Sequence, residues 1–272
     1  MKGNIRKMQV DMSSPVSYHL PVGDELLAMN ALIGKNVVLQ YHAEIHCVAC
    51  GRKTKKSFAQ GHCYPCFRDL AECDLCIMKP ETCHYEAGTC RQPEWGLAHC
   101  MQAHYVYLAN SSGVKVGITR GTQIPTRWID QGAGQALPIF KVQTRLQSGL
   151  LEVELKKHVS DRTDWRKMLK GEPEPIDLSE VRDRLVRESA PVIEALKQQF
   201  GEASIQFLPD TPQVEIRYPV EDYPLKLKSL NFDKQEQIAG VLLGIKGQYL
   251  IFDCGVLNIR KFSGYNISVS MS

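Results

Sequence analysis

The sequence predicts an α+β protein in which a β-rich body carries a cysteine-rich insertion and a smaller strand–helix domain. Strand-like runs occur near both ends of the chain, and nine of the ten cysteines fall between Cys47 and Cys100. Hydrophobic residues make up 43% and charged residues 23% of the 272 positions, which is the composition of a globular protein and excludes a disordered chain. The length allows two compact domains.

The N-terminal segment, residues 1–45, is the first part of the predicted β body. Runs of apolar and β-branched residues at 16–20 and 36–41 predict short strands here. The charged first residues are not followed by an apolar run, so no signal peptide is expected. The longest apolar stretch, residues 238–245, is too short to cross a bilayer. We therefore expect a cytoplasmic protein without a membrane partner.

Residues 46–101 form the predicted zinc-binding segment. Cys47 and Cys50, followed by Cys63 and Cys66, are two CxxC pairs separated by twelve residues. Two residues between the cysteines let a tight turn direct both sulfurs at one ion, and two such turns complete a tetrahedral four-thiolate zinc site. In a chain without a secretory signal, this pattern favours structural zinc over disulfides.

The remaining cysteines of this segment indicate a second zinc site, whose ligands the spacing leaves open. They are Cys73, Cys76, Cys83, Cys90 and Cys100. Spacing alone favours a third CxxC pair formed by Cys73 and Cys76, and His84 and His99 are further candidate ligands. Free thiols in a reducing compartment are the alternative.

Residues 102–170 predict a central unit with the element order strand, strand, helix, strand, helix. The first helix can begin at Pro125, and Ser148 is a suitable N-cap for the second. Between residues 101 and 170 there are eleven Lys and Arg residues against five Asp and Glu, although the whole chain has a net charge of only +3. A basic unit in a nearly neutral protein suits binding to phosphate backbones, with Arg127, Lys156 and Lys157 contributing, and a solvated basic helix face is the alternative.

Residues 171–272 predict a helical part followed by the remaining strands of the β body. The linker GEPEP at 171–175 opposes helix formation. A helix is expected over 177–200, with a kink or break at Pro191 and a stop at Gly201. After residue 205, β-branched runs that are often interrupted by glycine predict strongly bent strands.

The central unit resembles the GIY-YIG nuclease domain, in the form whose second signature reads Lys-Ile-Gly. The sequence YVY at 105–107 stands at the first signature, and KVG at 115–117 stands at the second. Arg127 matches the helix-borne arginine of that family, and Glu152 matches its metal-binding glutamate. The expected fold of residues 102–170 is therefore a GIY-YIG-like β-β-α-β-α domain.

This resemblance implies a divalent-metal-dependent endonuclease and a role for each matching residue. Glu152 would hold Mg²⁺, Arg127 would clamp the substrate phosphate, and Tyr107 would orient or deprotonate the attacking water. Lys115 would supply a cation beside Tyr107, or act as the base itself if burial lowers its pKa. The sequence departs from the signatures where Tyr105 replaces the first glycine and Lys115 the second tyrosine.

The chain as a whole is similar to an uncharacterised bacterial family that joins a cysteine cluster to such a domain. The likeness rests on GHCYPCF at 61–67, KVGITR at 115–120, RWIDQGA at 127–133 and GIKGQY at 244–249. It implies that the ligands of the second zinc are Cys76, Cys83, Cys90 and Cys100.

The combined prediction is a zinc-containing nucleic-acid-binding protein with a metal-dependent phosphodiesterase domain. One or two structural zinc ions and a catalytic Mg²⁺ are the expected cofactors. Two alternatives stay open. The departures from the signatures favour a degenerate domain that binds nucleic acid without cleaving it, and a zinc-stabilised segment also suits a protein-interaction module.

Overall fold

The structure is a computed structural model that describes residues 1–159 and 164–271. These residues form a mixed α+β fold that is rich in strands, with fifteen strands and seven α-helices. None of the described helices is long and apolar enough to cross a membrane.

The strands and helices alternate in groups along the chain. The N-terminal part contributes six strands, β1 (Lys2–Asn4), β2 (Gln9–Asp11), β3 (Ser17–Val22), β4 (Glu25–Ala28), β5 (Asn36–His46) and β6 (Lys53–Thr54). The cysteine-rich segment contributes two short helices, α1 (Tyr64–Asp69) and α2 (Pro93–His99). The central unit consists of β7 (His104–Asn110), β8 (Val114–Arg120), α3 (Thr126–Asp130), β9 (Gln135–Val142) and α4 (Arg145–Leu155). The C-terminal part contains α5 (Trp165–Met168), α6 (Leu178–Glu188), α7 (Ala190–Phe200), β10 (Ile205–Phe207), β11 (Val214–Glu215), β12 (Gln237–Lys246), β13 (Tyr249–Phe252), β14 (Gly255–Asn258) and β15 (Tyr265–Met271).

Strands from both ends of the chain form one seven-stranded antiparallel sheet. Its order is β1-β15-β5-β12-β13-β14, with β6 paired to β5. In the middle of the sheet, Leu39 of β5 lies opposite Val269 on one side and Ile238 on the other. Alternate residues of a strand point to one face, and Val37 and Leu39 are accordingly buried. The predicted β body is thus built from N-terminal and C-terminal segments, and β2, β3 and β4 form a separate three-stranded sheet.

The central unit contains a five-stranded antiparallel sheet in which β7 lies between β8 and β9. The order is β10-β9-β7-β8, with β11 paired to β9. Val106 and Leu108 of β7 pack in one core with residues of α4, α6 and α7. Tyr107 and Ala109 point to the opposite face and belong to the core of the β body. Strand β7 therefore connects the two cores.

Helix α4 begins earlier than the sequence analysis predicted, because Thr144 and not Ser148 is its N-cap. The Thr144 hydroxyl accepts a hydrogen bond from the Gln147 backbone N–H at 3.4 Å, and the Gln147 side chain accepts one from the Thr144 backbone at 3.0 Å. This capping box satisfies two backbone donors at once. The Ser148 hydroxyl lies inside the helix and donates to the Arg145 carbonyl.

The helical region after the linker consists of two helices, as Pro191 predicted. Asp177 caps α6 by accepting hydrogen bonds from the backbone N–H groups of Ser179 and Glu180. Pro191 lies in the first turn of α7, where its missing N–H costs nothing. Gly201 ends α7 with φ +95°, a conformation that favours glycine.

Candidate functional site

The first four cysteines form the compact cluster that their spacing predicted. The sulfurs of Cys47, Cys50, Cys63 and Cys66 all lie within 4.8 Å of one another. Two turns bring them together, since the Gly51 N–H donates to the Cys47 carbonyl and Cys63 is the residue before helix α1. Four thiolates at this separation suit the tetrahedral geometry of structural zinc. The cluster can therefore hold a zinc ion.

The second set of cysteines surrounds a small cavity in the same segment. Cys76, Cys83, Cys90 and Cys100 line it together with Asp74 and His84. The ligand atoms of Asp74, Cys76 and His84 lie within 4.8 Å of one another, and the Asp74 carboxylate also pairs with Arg91 at 2.7 Å. The four cysteines implied by the resemblance thus share one cavity, and their role as zinc ligands stays a prediction.

An open cleft of about 510 Å³ crosses the central unit and is strongly basic. We call it the basic cleft. Two carboxylates, Asp130 and Glu152, line it. Seven cationic side chains line it as well, namely Lys7, Lys115, Arg120, Arg127, Arg145, Lys156 and Arg260. Like charges at such density repel one another in the absence of an anion, so this arrangement suits a polyanionic ligand.

Three of the four predicted catalytic residues line the basic cleft, and the fourth lies beneath it. Lys115 comes from β8, Arg127 from α3 and Glu152 from α4. Tyr107 of β7 is fully buried, and its hydroxyl donates a 3.1 Å hydrogen bond to the side chain of Gln131, which does line the cleft. The structure thus brings together residues as far apart in the sequence as Tyr107 and Glu152, which are separated by 45 positions.

Burial in this basic environment shifts the pKa values of Lys115, Glu152 and Tyr107. Desolvation, with a smaller contribution from Arg127, lowers the pKa of Lys115 to about 7. Burial raises the pKa of Glu152, although Lys156 and Arg127 oppose the rise. Burial also raises the pKa of Tyr107, against the effect of Arg127. The pKa of Lys115 therefore lies near neutrality.

The two carboxylates of the basic cleft differ in the number of their oxygens that contact a polar or charged partner. Asp130 accepts a hydrogen bond from Gln248 on one oxygen and pairs with Lys7 on the other, both at 2.8 Å. Glu152 pairs with Lys156 one helical turn away, at 3.2 Å. This ion pair engages one oxygen of Glu152, whereas both oxygens of Asp130 are engaged. Glu152 is therefore the carboxylate better placed to take a metal ion.

The cysteine-rich segment supplies one wall of the basic cleft. Ile77, Met78 and Pro80 line the cleft beside α4. The Arg145 guanidinium donates a 2.8 Å hydrogen bond to the Ile77 carbonyl. A Cβ at Gly149 would lie only 2.3 Å from the Glu81 backbone nitrogen, so a glycine is needed for α4 to approach the turn this closely. Cys76 and Cys83 bracket this turn, so the second cysteine cavity and the cleft wall share one piece of chain.

A family model described as a protein of unknown function, DUF2797, matches residues 34–267. The chain belongs to the DUF2797 family. The match covers the four-cysteine cluster and every residue of the basic cleft except Lys7. No curated protein and no solved structure matches this DUF2797 chain. The family match thus covers the candidate site apart from Lys7, and the function must be argued from the residues themselves.

Four cationic residues of the DUF2797 cleft were not identified from the sequence. They are Lys7, Arg120, Arg145 and Arg260. Arg120 ends the KVGITR motif and Arg145 opens α4, so both stand beside residues that the sequence analysis did identify. Lys7 and Arg260 lie near opposite ends of the chain and have no local signal, because the fold alone brings them to the cleft.

Proposed function

We propose that this protein binds nucleic acid in the basic cleft and, with a divalent metal ion at Glu152, hydrolyses phosphodiester bonds there. The observation that carries the proposal is the charge of the cleft: seven cationic side chains and two carboxylates, one of which is neutralised by Lys7. Phosphate-rich polymers gain affinity from such a surface by releasing their condensed counterions. A small neutral ligand would gain nothing from it.

The order of elements supports the nuclease-like interpretation. Two strands, a helix, a strand and a second helix follow one another from β7 to α4, with β7 central in the sheet. Lys115 of β8, Arg127 of α3 and Glu152 of α4 line one cleft, and Tyr107 of β7 lies beneath it, which suits a shared active site. This agreement favours a GIY-YIG-like domain over residues 102–170, although α6, α7 and β10 from beyond residue 170 pack on the same sheet.

Glu152 is the residue that would hold the divalent metal. A carboxylate is a ligand that Mg²⁺ prefers, and Mg²⁺ commonly takes one or two carboxylates, waters and substrate phosphate oxygens. The donor set fits, since Glu152 is 9% exposed and faces a cleft rich in phosphate-binding side chains. When bound, the metal would neutralise charge on the phosphate and activate a water molecule.

The other residues of the site would have separate roles in phosphate binding, proton transfer and positioning. Arg127 would hold the scissile phosphate through its planar set of donors. Lys115, 5% exposed and with a pKa of about 7, is suited to take a proton near neutral pH. Tyr107 does not reach the cleft surface, so we assign it to positioning, through Gln131 and Arg127.

Zinc in this account is structural, and we propose two sites. The first is the cluster of Cys47, Cys50, Cys63 and Cys66, and the second is the cavity lined by Cys76, Cys83, Cys90 and Cys100. The second site would stabilise the turn that forms the cleft wall. We accordingly propose the division into residues 1–45, 46–101, 102–170 and 171–272 as functional segments of one fold.

One observation favours a second candidate function, binding without cleavage. Lys156 pairs with Glu152 at 3.2 Å and so competes with a metal ion for the carboxylate. The test is to incubate the protein with labelled single-stranded and double-stranded DNA and RNA in Mg²⁺, Mn²⁺ or EDTA. Metal-dependent products support the nuclease, salt-sensitive binding without products supports the degenerate domain, and absence of binding contradicts both.

A further inference from the structure

The wall that the cysteine-rich segment adds to the basic cleft carries exposed apolar side chains. Met78 is 82% exposed and Leu75 is 62% exposed. Met78 also lines the cleft, together with Ile77 and Pro80. Ile77 is half-buried and Pro80 is buried, so we call Leu75, Ile77 and Met78 the apolar rim. Large apolar side chains grouped beside a charged cleft indicate a binding surface better than scattered ones do.

The apolar rim is held by its own backbone and by α4. Short 3-10 turns at Leu75–Ile77 and Pro80–Thr82 flank Met78. The Met78 and Lys79 N–H groups both donate to the Leu75 carbonyl, at 2.9 and 3.0 Å. Arg145 holds the Ile77 carbonyl from the other side. These contacts fix the backbone of the turn, so the backbone need not be ordered when the side chains of the rim contact a ligand.

Charge complementarity decides which ligand fits a surface of this kind. The cleft next to the rim is suited to the phosphates of a nucleic acid. The apolar rim is suited to the uncharged bases of the same polymer. Proteins that distort nucleic acids insert Met, Leu, Ile and Pro side chains between bases, which unstacks them. A polyphosphate, which has no bases, would bind in the basic cleft but would leave the apolar rim exposed to solvent.

We propose that the apolar rim binds a nucleobase that has been unstacked from its neighbours, with Met78 as the main contact. This inference rests on the proposed function, since it requires the phosphates of the same nucleic acid to lie in the basic cleft. It adds that the preferred substrate is single-stranded or is kinked at the bound site. An intact, straight duplex would offer the rim no base face.

The test compares two polyanions without added Mg²⁺, so that metal-dependent cleavage does not occur and no chelator removes structural zinc. Affinities of the wild type, Met78→Ser and Leu225→Ser are measured for a labelled single-stranded oligonucleotide and, by competition, for inorganic polyphosphate of similar charge. Leu225 is 92% exposed and outside the cleft lining, so it is the matched control for removing an exposed apolar side chain. We expect Met78→Ser to weaken oligonucleotide binding about tenfold, as the loss of a largely buried methionine contact would, and to leave polyphosphate binding unchanged.

A second measurement follows the base itself. An oligonucleotide containing 2-aminopurine should become more fluorescent on binding to the wild type, because the base leaves its stack, and less so on binding to Met78→Ser at saturation. Equal oligonucleotide affinity of Met78→Ser and wild type, or an equal loss for polyphosphate, would overturn the inference and leave the proposed function standing. A wild type that binds neither polyanion would overturn the proposed function itself.

Discussion

Gly117 lies opposite Tyr107 in the β7–β8 pair, and a Cβ at Gly117 would be 2.7 Å from the Tyr107 hydroxyl oxygen. A glycine at 117 is therefore what leaves room for the tyrosine ring across β8. The ring contacts Trp128 edge-on, with centroids 6.0 Å apart, and its hydroxyl donates to Gln131. Residues from both signature-like motifs thus meet in one packed unit beneath the basic cleft.

Replacing Gly117 with alanine should push the Tyr107 ring out of this position. Overpacking of a core contact costs about 1–3 kcal/mol, so we expect a lower free energy of unfolding by chemical denaturation. Gly171→Ala is the control, because a Cβ there meets nothing within 4 Å. Adding Tyr107→Leu to Gly117→Ala should restore part of the loss. Equal stability of Gly117→Ala and wild type would contradict this packing account.

The four-cysteine cluster should contain zinc in freshly purified, reduced protein. We expect at least one zinc ion per chain by elemental analysis, and two if the second cavity is also a site. Cys63→Ser should lower the zinc content and the soluble yield together, because the binding free energy of a structural zinc contributes directly to folding. Cys254→Ser, outside the cysteine-rich segment, should change neither. Less than one zinc per wild-type chain would contradict the site.

Binding of nucleic acid should weaken steeply with salt. If about six phosphates are neutralised, affinity should fall about a thousandfold between 50 and 200 mM salt. Arg127→Gln should reduce the slope of log affinity against log salt by about one. Lys226→Gln, a charge change outside the cleft lining, should leave the slope unchanged. An affinity that does not depend on salt would rule out the cleft as a phosphate-binding surface.

Cleavage should depend on pH through Lys115. A lysine accepts a proton only in its neutral form, and burial lowers its pKa from the usual 10.5 to about 7. The neutral fraction, and with it kcat/KM, should therefore rise about tenfold per pH unit below 7 and level off above it. Lys115→Arg keeps the charge at every pH, so it should lower the rate and abolish this rise. A variant with the wild-type pH profile would exclude Lys115 as the base.

Local sequence patterns were sufficient for the features that depend on neighbouring residues. Two CxxC pairs predicted a cluster because the turn geometry lies within each pair, and Pro191 predicted the division between α6 and α7. The N-cap of α4 also depends on neighbouring residues, but the prediction of Ser148 was wrong. Thr144 and Ser148 are both good caps in isolation, and only the reciprocal bonds of Thr144 with Gln147 decide between them.

Features that depend on distant segments could not be predicted in the same way. Lys7 and Arg260 reach the basic cleft because β1 and β15 are paired in the body sheet and so bring both ends of the chain near α3. The approach of Gly149 to Glu81 likewise joins two segments that no periodicity connects. The apolar rim was missed because Leu75 and Met78 lie among cysteines, in turns without a repeating pattern.

The measurement that tests the central claim most directly is cleavage by Glu152→Gln, compared with Glu154→Gln. The two glutamates stand on the same helix with the same 9% exposure, but Glu154 pairs with Lys157 and His158 outside the cleft lining. Rates are measured with excess protein in Mg²⁺, and affinities are measured without added Mg²⁺. We predict that Glu152→Gln binds at least as tightly as the wild type, because the cleft loses a negative charge, and cleaves at least about a thousandfold more slowly, since a lost metal ligand removes several kcal/mol of transition-state stabilisation. Glu154→Gln should cleave normally, and cleavage by Glu152→Gln at the wild-type rate would contradict the account.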